Sequence, residues 1–492
     1  MSDAGSGMDE LFDDLDAVAL AAVIRVGDVH AREVVEHALA RIDARNPIVN
    51  AVTEVRADAA LVDADTASGG PLAGVPFVIK DLGAEVSGMR TTGGSRLRAD
   101  EVANQDSIIV ERYRRAGLVV VGMTNVPEYG RNASTEPLLH GPTRNPYSLS
   151  HSAGGSSGGT AAAIASAMVP LGHGTDGGGS IRIPASACGL VGLKPTRGRT
   201  PSHPTLSAFA YPMSVNHVLT RSVRDSALLL DVAAGSVPGD GYWAPAPERP
   251  FIDEVGSDPG RLRIALSTVT PQGEPVHAEC AAVTESTARV LEGLGHEVVE
   301  ATPTYPLDDL QTVLRVVMST PMAADIDDRL AARGRGLRDD DLEPFTHVIY
   351  HLGKNTTGTD MVRALQAVER AGHELARFFG HHDLLLTPTI AVPPPELGVL
   401  DTTNIESMYR NAGAISALTS FSNVTGQPAI SLPLGRSPST GLPLGVQLVA
   451  RFGREDVLVQ VASQIEVTTP WSAAPVWPPS SATAPVSSPP SR

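Results

Sequence analysis

The chain has 492 residues, with 38 Lys and Arg against 55 Asp and Glu for a formal charge of −17. That acidic balance, without a Lys/Arg cluster, argues against a nucleic-acid binder, which needs a basic stripe to meet phosphates. At 42% apolar and 19% charged residues, the composition is that of a globular protein with a large core. No apolar run reaches the ~18 residues of a bilayer span. No charged-then-apolar leader opens the chain, and Cys188 and Cys280 are too few for a disulfide framework or a Cys-rich zinc site. A soluble, cytoplasmic enzyme is the expectation.

Residues 1–11 are small and acidic and are expected to form a flexible N-terminus. From 15 to 42 the apolar positions recur at helical spacing, broken at Gly27-Asp28, which predicts two helices and a short turn. Residues 75–79 read as a buried strand that ends at Lys80. Residues 107–116 read as a helix stopped by Gly117, and 118–121 as a β-branched strand. Further on, 262–266 and 296–299 read as strands around a helix at 278–294 with Gly295 as its cap. A helix at 360–379, strands at 384–386, 429–432 and 445–449, and a last helix at 456–466 complete the pattern. The alternation predicts an α/β fold: one large domain over 12–470, with a mixed, mostly parallel sheet covered by helices on both faces. The Pro/Gly-rich stretch 237–260 is expected to loop over the surface, and the acidic run 339–341 to be solvated. The Pro/Ser/Ala-rich tail 471–492 is expected to be disordered or draped.

The chemistry is concentrated in two glycine-serine segments. Gly154-Gly155-Ser156-Ser157-Gly158-Gly159 precedes a run of small residues suited to a closely packed helix. Gly174-Thr175-Asp176-Gly177-Gly178-Gly179-Ser180 can aim several backbone N–H groups at one developing oxyanion. Three mechanical readings compete. Gly172 to Gly177 fits the G-x-G-x-x-G dinucleotide pattern, but no acidic residue follows at the required distance. Gly154 to Gly158 fits the G-x-S-x-G nucleophile elbow, with histidines downstream, yet leaves Ser180 without a role. In the third reading both segments work with Lys80 as a base. A lysine carried into an apolar interior loses basicity, and lowering its pKa from ~10.4 to ~7.5 costs about 4 kcal/mol. The alternative for Lys80 is an ion pair with a buried carboxylate such as Asp81.

In order and spacing, Gly74-Val75-Pro76-Phe77-Val78-Ile79-Lys80-Asp81, the two glycine-serine segments and Ile181-Arg182-Ile183-Pro184-Ala185 resemble the amidase signature family. So do Cys188 to Thr196, Asn423 to Pro433 and Gly445 to Leu448. The likeness spans roughly 12–470 and implies a single amidase-signature domain. It implies a serine amidohydrolase that acts through an acyl-enzyme, with Ser180 as nucleophile, Ser156 as bridging serine after a cis peptide, and Lys80 as base. The N–H groups of Gly177, Gly178, Gly179 and Ser180 are the implied oxyanion donors. Thr175, Asp176 and Arg182 would brace the loop, and Ser157 would hydrogen-bond near the triad. Lys194 and Cys188 read as structural, and no histidine is needed. No metal and no organic cofactor is implied, and the partner is a small-molecule amide; a homodimer is compatible with this.

Segments 174–180 and 196–199 are similar to those of bacterial amidases of the 6-aminohexanoate-cyclic-dimer hydrolase type. Region 302–358 is expected to line the acyl-side entrance. Gly177 departs from the threonine that often follows the loop aspartate. The rival is a glutamine-hydrolysing amidotransferase A-type subunit that works in a complex. Those subunits usually carry an Asp-Glu-Phe-Ala-Met-like stretch where this chain has Asn125-Val126-Pro127-Glu128-Tyr129-Gly130.

Overall fold

Apolar side chains that alternate along the central strands build two cores, one on each face of a single sheet. The computed structural model describes residues 3–204, 212–471 and 477. Its strands are β1 Val52–Val55, β2 Pro76–Lys80, β3 Val119–Thr124, β4 Arg144–Asn145, β5 Ser148–Ser152, β6 Leu171–Asp176, β7 Val191–Lys194 and β8 Val215–Thr220. They continue with β9 Arg263–Leu266, β10 Glu297–Glu300, β11 Leu384–Pro388, β12 Ala429–Arg436 and β13 Pro443–Ala450. Apart from the β4–β5 hairpin, all join one sheet of order β1-β3-β2-β6-β8-β7-β12-β13-β11-β9-β10.

The two-faced burial follows from the period of two in a strand. Phe77, Ile79, Val120 and Val218 pack with Leu20 and Ala21 of the helix Ala17–Val26, Tyr113 of Ile108–Arg115 and Leu229 of Val223–Ala233. Their neighbours Val78, Val119, Val121 and Leu219 point the other way, onto the alanines and Ile164 of the helix Gly158–Ala165. Each fully buried aliphatic or aromatic side chain contributes about 1.5–3 kcal/mol. Helices therefore cover both faces, as expected. Most of the expected elements are present within a few residues, including the helix pair Ala17–Val26 and Ala31–Val49 split at Gly27.

Two expectations, the mostly parallel sheet and the solvated acidic run, need correction, and the two ends of the chain add detail. The sheet is mixed, but β1–β3, β6–β8, β7–β8, β7–β12, β12–β13 and β11–β13 are antiparallel, leaving parallel pairing to β2–β3, β2–β6, β9–β11 and β9–β10. Strands β6, β7 and β8 supply three of the six antiparallel pairs; they lie in a stretch whose glycines and histidines hide a strand pattern. The stretch read as a flexible N-terminus, 1–11, is helical over Asp3–Asp14, and its Asp9 carboxylate accepts from Arg41 and His37. In the acidic run, Asp339 and Asp340 are exposed, but Asp341 is buried in a bidentate pair with Arg335. Of the expected tail, Trp471 donates from Nε1 to the Arg221 carbonyl at 3.0 Å, and Arg45 lies over the Trp477 ring. The rest of 471–492 lies outside the described residues.

Candidate active site

Adjacent parallel strands bring the key groups together. The β2–β6 register pairs Phe77 with Leu171 and Val78 with Gly172, so both strands end at the same edge. Lys80 closes β2 and Thr175-Asp176 closes β6, which places the glycine loop beside the lysine at the carboxyl ends of the strands. The third segment enters from the start of the helix Gly158–Ala165, which packs on the same strands. The Gly155–Ser156 peptide that leads into it is cis, as the resemblance implies.

Lys80 is fully buried, and its Nζ lies 2.8 Å from Ser156 Oγ and 2.7 Å from Thr175 Oγ1. Burial pulls its pKa down to about 7, against a weaker upward pull from the Asp176 charge. No ion pair of Lys80 occurs among the described residues. Asp81 turns away and accepts from the Thr92 N–H at 2.7 Å and from the Thr92 hydroxyl. Burial pushes Asp81 up to about 6. The ion-pair alternative for Lys80 is therefore not what the fold builds. Among the described residues no hydrogen bond joins Ser156 Oγ to Ser180 Oγ; Ser180 is partly exposed and shares a cavity wall with Ser156.

A buried ion pair holds the glycine loop. Arg182 donates from Nε and Nη2 to the two Asp176 oxygens, each at 2.9 Å, with both side chains out of water. Burial alone would raise the Asp176 carboxyl, but the Arg182 charge and hydrogen bonds hold it far below the usual carboxylate range. The remaining guanidinium donors go to Ser422 Oγ, Asn423 Oδ1 and Gln447 Oε1 at 2.8, 2.6 and 2.7 Å. Asp176 Oδ1 also accepts from the Gly179 N–H at 2.7 Å, while Thr419 Oγ1 donates to the Gly178 carbonyl at 2.7 Å. The Gly178–Gly179 peptide is thus held at both ends. Gly179 is buried with its N–H engaged, whereas Gly177, Gly178 and Ser180 are partly exposed on the cavity wall. Ser157 joins the segments by donating its N–H to the Ser180 carbonyl at 3.2 Å and its hydroxyl to the Thr175 carbonyl at 3.3 Å.

Among the described residues, the side chains of the remaining singled-out residues make no hydrogen bond to this cluster. Lys194 is buried and donates to the Pro195 carbonyl at 2.8 Å. Cys188 sits in the core with burial raising its thiol pKa. His173 hydrogen-bonds Asn216 Oδ1 at 3.1 Å, and burial drops it to about 3. The G-x-G-x-x-G stretch runs along β6 to Asp176 with Gly177 just past its end, and does not open a helix.

Ser156, Ser180, Thr175, Gly177 and Gly178 line a cavity of about 260 Å³. Leu314 and Met318 of the helix Leu307–Ala332, with Phe345 and Ile349 of Pro344–Lys354, supply one wall from the region expected at the entrance. A second wall, Met408, Tyr409 and Ala412 of the helix Ile405–Ser416, was not foreseen. Nor were Thr175 as a partner of Lys80, Thr419 as a loop anchor, or the links from Arg182 to Asn423 and Gln447. Asn423 and Gln447 do lie in segments that carried the resemblance, but their spacing does not tie them to residue 182.

The profile of the family described as Amidase matches residues 33–459. The chain belongs to the amidase signature family. This amidase is 39% identical over 485 residues to the 6-aminohexanoate-cyclic-dimer hydrolase of Paenarthrobacter ureafaciens, covering 93% of the chain and 95% of that relative. It is 34% identical to an acylamidase of Rhodococcus erythropolis, covering 93% and 96%. A solved structure of 6-aminohexanoate cyclic dimer hydrolase complexed with substrate superposes with a TM-score of 0.90 at 38% identity, over 95% of the amidase and 99% of that chain.

Proposed function

We propose that this amidase cleaves carboxylic amides to carboxylate and amine through a Ser180–Ser156–Lys80 relay and an acyl-enzyme on Ser180. The observation that carries the reading is Lys80 Nζ, fully buried and 2.8 Å from Ser156 Oγ, with Ser156 and Ser180 lining one cavity. A serine hydroxyl is a poor nucleophile until its proton has somewhere to go. Neutral Lys80 takes a proton from Ser156 Oγ as Ser156 takes one from Ser180, whose oxygen bonds to the amide carbon. The carbonyl oxygen gains negative charge next to the N–H groups of Gly177, Gly178 and Ser180, which are in place before the charge develops. The proton returns through Ser156 to the departing nitrogen, and water then hydrolyses the ester by the same route. Leu82, Ile183, Leu314, Met318, Ile349 and Met408 on the cavity wall favour an acyl arm with apolar length over a short polar amide.

A fluorophosphonate probe tests the nucleophile. It should label the wild-type chain and leave Ser180→Ala unlabelled; persistent labelling of the variant would remove Ser180 from the mechanism. Incubating the purified chain with hexanamide separates this reading from the amidotransferase one. Ammonia release without partner proteins or ATP supports a free-standing amidase, and release that requires partners supports the rival.

A further inference from the structure

The catalytic cavity holds a charge that the relay does not use. Among the described residues, Arg131 is the one charged side chain on its wall, where its neighbours include Leu314, Met318, Ile349 and Met408. We propose that Arg131 is a specificity residue that selects amides whose acyl arm ends in an acceptor oxygen, a carboxylate or a second carbonyl, and holds that oxygen with its guanidinium. The proposal rests on the hydrolysis proposed above.

Backbone packing fixes where Arg131 starts. A Cβ on the preceding residue, Gly130, would lie 3.2 Å from Ser156 Oγ, and one on Gly155 would lie 2.6 Å from the Asn132 carbonyl oxygen. The strip 130–132 therefore runs directly past the bridging serine. The far end of the side chain is fixed as well, with Nη1 3.0 Å from Met318 Sδ on the helix Leu307–Ala332. Arg131 thus runs from beside Ser156 to Met318 on the apolar wall, lining the volume that an acyl arm would fill. Burial lowers its pKa to about 10, so it stays cationic at neutral pH. A guanidinium carries five N–H donors in a planar fork whose geometry suits carboxylate and carbonyl oxygens. A wholly hydrocarbon arm would press that cation against apolar groups, whereas an acceptor oxygen gives it a charge-assisted hydrogen bond.

The test compares three substrates that share one chain length: hexanamide, adipamide and adipic acid monoamide. The wild-type enzyme should prefer the two acceptor-ended amides. Arg131→Met should lower kcat/KM for both by about tenfold or more, mainly through KM, and leave that for hexanamide unchanged or raised. Arg131→Lys keeps the charge and most of the stem. It should recover much of the monoacid turnover but little of the adipamide turnover if a carboxylate is the true ligand, and it carries the test if the Met variant fails to fold. An equal fall for all three substrates, or no fall for the acceptor-ended pair, overturns the assignment while leaving amide hydrolysis intact. If calorimetry shows Arg131-dependent binding of the monoacid but the enzyme cleaves none of the three, the hydrolysis proposal fails and the binding role stands.

Discussion

At the scale of single residues, the chemistry depends on where one proton resides. With Lys80 near pH 7 by burial, raising pH through about 7 converts the ammonium to the neutral amine. In the proposed relay only the neutral form accepts from Ser156, so turnover should rise with pH across that range and level off above it. A rate profile from pH 5 to 9 checks this, and a flat profile would argue against an amine base. Lys80→Ala should cut turnover by at least ~10², measured at saturating amide. Thr175 tunes the same group. Its hydroxyl accepts from Lys80 at 2.7 Å and so favours the charged form. Thr175→Val keeps the shape and removes the acceptor, which should shift the ascending limb to lower pH by about one pH unit. A limb that stays in place would reduce Thr175 to a packing role. Lys80 and Ser180 were legible in the sequence because a strand end and a glycine loop have local signatures. Thr175 as a lysine partner was not, because its contact depends on the register of two strands 95 residues apart.

At the scale of elements, β6 shows why a strand can escape a reading by propensity. Leu171-Gly172-His173-Gly174-Thr175-Asp176 has neither an apolar run nor β-branched alternation. The fold nevertheless needs small residues there: a Cβ on Gly172 would lie 2.6 Å from Val78 Cγ2 and 2.7 Å from Thr160 Cγ2. The glycines let the helix Gly158–Ala165 and strand β2 close on β6, and this closure brings Ser156 to Lys80. Gly172→Ala should destabilise the fold by about 1–3 kcal/mol through overpacking, read from the chemical-denaturation midpoint. Unchanged stability would mean that the two neighbours have room to retreat. Of the strands that were legible, β2, β3, β9, β11, β12 and β13 carry mostly apolar residues, and β10 was marked by its Val298-Val299 pair after the Gly295 helix stop.

At the scale of the whole molecule, Arg182 ties the two halves of the sheet. It binds Asp176 at the end of β6, Asn423 and Ser422 on the helix Ser420–Thr425, and Gln447 within β13. Asp176 in turn orients the loop that carries Ser180. Removing one partner of a buried pair leaves the other charged and unsatisfied. Arg182→Met should therefore cost about 3–5 kcal/mol of stability by denaturant titration and lower fluorophosphonate labelling of Ser180. A variant that is destabilised but labels normally would separate the scaffold from the loop.

The sequence by itself determined which residue types were available: the lysine at the end of a buried strand, two serines among glycines, and apolar alternation sufficient for a two-faced α/β core. Local periodicity and composition encode these, because a strand's burial and a glycine's freedom are written within a few residues. Only the tertiary structure decided the antiparallel majority of the sheet, the bond from the Gly179 N–H to Asp176, the wall from Ile405–Ser416, and the position of Arg131 on the cavity wall. Each depends on which distant segments meet. That meeting is set by packing volume and by the requirement that buried charges and backbone groups find partners, and neither is expressed in the spacing of residues along the chain.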